Sequence, residues 1–133
     1  MPDPRTRSMP PAEFAIIRQR LGLSLADTAR LLGINERAVR RWAGDNPAGP
    51  GPEAAATLRE LLAEHDKRLS AELSKLRRRE TRPVTLMRHA TDERLEAAGA
   101  GHTTVRAQDA YLAELVLLLN RERISVEIVG DEQ

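Results

Sequence analysis

The chain has 133 residues, 41 % hydrophobic and 31 % charged, with a formal net charge of +1. That length holds one ordinary domain, or one small domain with an accessory element. Cysteine is absent, which excludes disulfides and thiolate metal sites, and no stretch approaches the roughly 20 apolar residues of a bilayer span. The expectation is a cytoplasmic protein that carries no cofactor or metal.

The small net charge hides an asymmetry. Residues 1–50 carry eight arginines against five acids, and residues 51–82 carry eight basic side chains against six acids. Residues 83–133 reverse the sign, with five arginines against nine acids. A basic front and an acidic back suit a protein that sets one end on an anion. Phe14, Trp42 and Tyr111 are the only aromatic residues other than histidine. Three scattered rings build no stacking platform for unpaired bases, so duplex DNA is favoured over single strands.

Residues 1–10 have arginines but no apolar segment behind them, so they read as a disordered tail and not a secretion signal. From Pro11, the residues Phe14, Ile17 and Leu21 recur at helical spacing until Gly22 stops the helix. Ser24 offers an N-cap for a second helix, with Asp27 at the third position as a near capping box. Leu25, Ala29 and Leu32 share one side of it. Gly33 ends it, Ile34 packs the turn, and Asn35 caps a third helix. In that helix Ala38, Val39 and Trp42 are apolar. Arg37, Arg40 and Arg41 stand at i, i+3 and i+4 and so share a face. Such a face fits the major groove, where an arginine fork matches O6 and N7 of guanine.

The run from Gly44 to Pro52 breaks the helical cluster, and Pro52 suits the first turn of the next helix. That helix is expected over residues 53–80. Leu62, Leu69 and Leu76 repeat every seven residues, and Leu58, Leu61 and Leu73 widen the stripe. Two readings stay open: a coiled-coil seam between two copies, with His65 and Glu72 at odds with it, or a linker helix packed on both ends of its own chain. Arg77, Arg78 and Arg79 read as a solvated helix end whose cations complement the dipole, with DNA contact as the alternative.

Val84, Thr85, Leu86, Met87 and Arg88 alternate like a half-buried strand. A short helix is expected over residues 92–98, closed by Gly99, Ala100 and Gly101. Thr103 or Thr104 then caps a helix to about Arg121, with Ala107, Tyr111, Leu115 and Leu118 on one stripe. A second strand runs from Ile124 to Val129. Two strands alone are marginal in water. A second copy would complete them, which makes residues 83–133 a candidate dimerisation element.

The segment from Pro11 to Leu62 resembles the lambda-repressor/Cro-like (XRE-type) helix-turn-helix family. The residues that carry this are Leu23-Ser24 opening the second helix, Leu32-Gly33-Ile34 at the turn and Trp42 closing the third. Bacterial and prophage proteins with a similar Pro-Ala-Glu-Phe start are especially alike. The resemblance implies a DNA-binding domain over residues 11–62 and a recognition helix from Asn35 to Arg41. Asn35, Glu36, Arg37, Arg40 and Arg41 would read bases, and Ser24 and Arg18 would meet phosphates. Leu25 stands where the family usually has Gln, and Ala43 where it usually has Glu. Residues 83–133 weakly resemble the dimerisation part of YdiL-like and anti-CRISPR-associated regulators.

The expected fold is mainly α: a helix-turn-helix bundle, a long linker helix continuing over residues 63–82, and a small α/β element. The expected function is a non-enzymatic regulator. It would act as a dimer, through Val84 to Arg88, Ile124 to Val129 and, in the coiled-coil reading, the Leu62, Leu69 and Leu76 row, on a pseudo-palindromic operator, as a repressor whose targets could include its own operon. An antitoxin-like interaction module is the alternative. A remote one comes from Arg88-His89-Ala90-Thr91, which is similar to the Arg-His-Gly motif of histidine phosphatases. Ala90 replaces the glycine, and the 44 residues after His89 are too few for that fold.

Overall fold

The computed structural model describes residues 8–44, 48–102 and 104–131. These form six helices and two strands: α1 (Pro11–Leu21), α2 (Leu25–Leu32), α3 (Glu36–Ala43), α4 (Pro52–Arg77), β1 (Val84–Arg88), α5 (Asp92–Ala98), α6 (Val105–Arg121) and β2 (Val126–Gly130). The protein is mainly helical with one small sheet. It divides into two compact units, residues 1–65 and 66–133, and the boundary falls inside α4. Among the described residues, no helix is long and apolar enough to cross a membrane.

In the first unit, local chemistry sets the helix ends. Pro11 opens α1, where a missing N–H costs nothing. Ser24 and Asp27 form the full capping box: Ser24 Oγ accepts from Asp27 N–H at 3.0 Å, and Asp27 Oδ2 accepts from Ser24 N–H at 3.1 Å. Gly33 closes α2 with φ at +66°, a conformation that disfavours any residue with a side chain. Phe14, Ile17, Ala29, Val39, Ala55 and Leu58 make the core.

Met9 joins that core, 2 % exposed, and its N–H donates to Pro50 O at 3.1 Å. The tail expected over residues 1–10 therefore ends before Met9; residues 1–7 lie outside the described residues, as do 45–47 of the breaker run. Gly49 explains part of that run, since a Cβ there would stand 2.0 Å from Met9 O. Ile34 departs from expectation as well. It is 38 % exposed, and the turn is tied instead by its N–H bonding to Ala29 O.

In the second unit, β1 and β2 pair in parallel, from Val84 opposite Val126 to Arg88 opposite Gly130. A parallel pair needs a crossover, which α5 and α6 supply. β2 begins two residues later than expected and ends at Gly130. Leu69, Leu73 and Leu76 of α4 bury against Tyr111, Leu112, Leu115 and Leu119 of α6 and against Val84 and Leu86.

That burial decides between the two readings of α4. Leu69 and Leu76 are 6 % and 3 % exposed inside their own unit, and Leu62 packs on the first-unit core. The leucine row is therefore filled within one chain and is no seam between copies. On α6 the buried stripe is Gln108, Tyr111, Leu112, Leu115 and Leu119, with Leu118 at its margin, so Tyr111 and Leu115 stand as expected while Gln108 and Leu119 take the places given to Ala107 and Leu118. Thr104 is the observed cap, and Thr103 lies outside the described residues. At the end of α4, Arg77 Nε meets both oxygens of Glu122 at 2.6 and 2.8 Å.

Leu76→Ala should lower the unfolding free energy by about 2–5 kcal/mol with an unchanged sedimentation mass. Urea unfolding and sedimentation check this; a seam between copies would instead change the mass.

Candidate nucleic-acid interface

The sequence of α3 alternates two kinds of surface at helical spacing. Val39 is fully buried. Trp42 is half-buried and meets Phe14 edge-on, with ring centroids 5.6 Å apart and planes at 84°. Edge-to-face contact is a preferred aromatic geometry. With Val39 and Trp42 turned to the core, Arg37, Arg40 and Arg41 turn to solvent, and all three are exposed.

Each of the other expected contacts has an internal partner. Asn35 Oδ1 accepts from Arg37 N–H at 2.7 Å and serves as the cap of α3. Glu36 pairs with Arg40 at 3.0 Å along the helix, with 45 % and 68 % of the side chains exposed. Solvent screens such a pair, so it holds Arg40 only by some tenths of a kcal/mol. Asn35, Glu36 and the three arginines are thus brought together on one short helix, as expected.

Ser24 and Arg18 are placed differently. The Ser24 hydroxyl oxygen is committed to the capping box, and the Asp27 carboxylate already occupies the positive N-terminus of α2. Arg18 is half-buried: Nη1 donates to Leu23 O at 3.1 Å, and the guanidinium lies 5.8 Å from the Phe14 ring centre. It braces the α1–α2 corner from inside, and its Nε is buried without a hydrogen-bond partner.

Two side chains near this surface, Arg30 and Leu31, escaped the sequence reading, and a third, Ile34, was read as packing the turn. Arg30, in the last turn of α2, is 76 % exposed and pairs with Asp27 at 2.6 Å. Leu31 and Ile34 expose apolar surface at the end of α2 and in the turn. The signal was present, since Arg30 and Leu31 both fall off the Leu25, Ala29 and Leu32 stripe.

No protein-family model and no curated protein matches the chain. The functional reading therefore rests on the chemistry of α3.

Arg18→Gln should cost about 1 kcal/mol of stability through the lost bond to Leu23. Arg37→Ala, a surface change, should stay within about 0.5 kcal/mol. Urea unfolding of both variants separates brace from free cation.

Proposed function

We propose that the first unit binds duplex DNA sequence-specifically and that the protein is a transcriptional regulator. The observation that carries this is the outward row of Arg37, Arg40 and Arg41 on a helix held from behind by buried Val39 and by Trp42 against Phe14. Two eight-residue helices joined through Gly33, Ile34 and Asn35 match the dimensions of a helix-turn-helix. α3 is then the recognition helix in the major groove, with Arg37, Arg40 and Arg41 facing guanine edges or phosphates. Asn35 and Glu36 add base contacts only by giving up their internal partners, and Ser24 keeps an O–H to donate to a phosphate. Leu31 and Ile34 offer apolar contact to thymine methyl groups.

A helix-turn-helix usually acts as a dimer on two half-sites about one helical turn apart. The second unit offers a surface for pairing. Both strands of its sheet are edges, and Met87 and Ile128 are 50 % and 49 % exposed. Binding by such a dimer excludes polymerase, so repression, including of its own operon, follows. The same apolar positions also suit an antitoxin-like contact with a different protein, and a purified chain that stays monomeric would favour that reading.

Selection from random duplexes at near-physiological salt should return a two-fold symmetric site. On that site Arg37→Ala or Arg40→Ala should cost about 1–3 kcal/mol and relax the sequence preference. Affinity should fall steeply with salt as counterions are released. No enriched duplex, or variants binding like the parent, would overturn the proposal.

A further inference from the structure

The second unit holds a cavity of about 220 Å³ at the carboxyl end of β1, next to His89. Parallel sheets commonly bind ligands just outside the carboxyl ends of their strands. The groups around this cavity are fixed by more hydrogen bonds than the strand pairing requires. Gln108, 2 % exposed, clamps the His89 backbone from both sides: its Oε1 accepts from His89 N–H at 2.7 Å, and its Nε2 donates to His89 O at 2.9 Å. His89 Nδ1 lies 2.6 Å from Asp131 Oδ2. A carboxylate accepts, so Nδ1 carries the proton and Nε2 is the ring nitrogen left for a ligand.

On another wall, Arg68 donates to Gly101 O at 2.9 Å and Ala100 O at 2.7 Å and lies 4.8 Å from the Tyr111 ring centre. Gly101 sits at φ +83°, a left-handed conformation that favours glycine, beside the guanidinium. The His102 ring stacks at 4.9 Å on Tyr111 and lies 3.2 Å from Arg68. Glu72 also lines the cavity. Burial first, and then the Glu72 carboxylate, push the Tyr111 hydroxyl up to about 12, so it remains a neutral phenol at neutral pH.

Arg68 attracts an anion, while His89 Nε2, left as an acceptor, takes a hydrogen bond from a hydroxyl or ammonium group. Glu72 would repel a bare anion but accepts from a hydroxyl or ammonium group. Leu86, Met87 and Leu112 supply an apolar wall. At about 220 Å³ the space is below the roughly 300–1,000 Å³ of pockets for drug-sized ligands. We infer that this cavity binds a small organic acid with a hydroxyl or amino group and a short aliphatic stem, the chemistry of a 2-hydroxy or 2-amino acid. The inference does not depend on DNA binding.

The test is an amide NMR titration of the full chain with leucine, with 2-hydroxy-4-methylpentanoate, with leucinamide and with inorganic phosphate. At least one of the two acids should give saturable shifts at Ala100, Gly101, His102 and Gln108, with Kd about 1 mM or tighter. Leucinamide, which lacks the carboxylate, should bind about tenfold more weakly or not at all. Ala100→Phe should fill the space and abolish the shifts. Met87→Glu, at a half-exposed position that leaves the core intact, should weaken the acid about tenfold. The inference is overturned by no saturable shift for either acid up to about 10 mM, by an equal response to leucinamide, by saturation with phosphate alone, or by unchanged affinity in Met87→Glu.

Discussion

Val39 is the residue on which the exposed surface of the first unit depends. Its burial with Phe14, Ile17 and Ala29, and the edge-on contact of Trp42 with Phe14, fix the rotation of α3 about its own axis. Once that rotation is set, helical periodicity leaves Arg37, Arg40 and Arg41 no direction but outward. The cost of burying a guanidinium enforces the same choice. Gly33 contributes from the other side. Its left-handed conformation lets α2 end sharply and release the chain into the Asn35 cap of α3. Arg18 then ties the end of α1 to the start of α2 through Leu23 O. Together these residues convert a short, strongly charged helix into a rigid display.

The second unit meets a different constraint. A sheet of two parallel strands, as described here, buries little by itself, and it is held by the leucines of α4 and α6 packed on Val84 and Leu86. Gln108 is the polar member of that arrangement. It is buried because its amide satisfies both backbone groups of His89 where β1 ends, and this replaces pairing that the sheet no longer provides. Asp131 does the same at the end of β2, accepting from Ala90 N–H at 2.9 Å while it orients His89.

What the sequence made legible was local. Ser24 with Asp27, Gly22, Gly33 and Asn35 set helix ends through bonds that span four residues or fewer in either direction, and these stand as read. The alternation from Val84 to Arg88 marked β1 to the residue. The arginine row was legible for the same reason. What depended on distant partners was not legible. Met9 looks like tail until Pro50 and Gly49 come beside it. Leu69 and Leu76 present the same heptad whether the partner is α6 or a second chain. The N-terminal end of the stripe on α6 was misread because a buried glutamine reads as a surface residue unless its backbone partners are known. Arg18 looked like a free cation because nothing in its neighbourhood announces the Leu23 carbonyl. The cavity draws on residues from 68 to 112, and no local pattern links them.

The central claim is that α3 enters the major groove with its arginines on base edges, and methylation protection reads this most directly. Dimethyl sulfate modifies guanine N7 in the major groove and adenine N3 in the minor groove, so the two grooves report separately on one bound duplex. The account predicts protection of guanine N7 within each half-site, with adenine N3 there left reactive. Protection confined to adenine N3, or none at either atom under saturating protein, would contradict it.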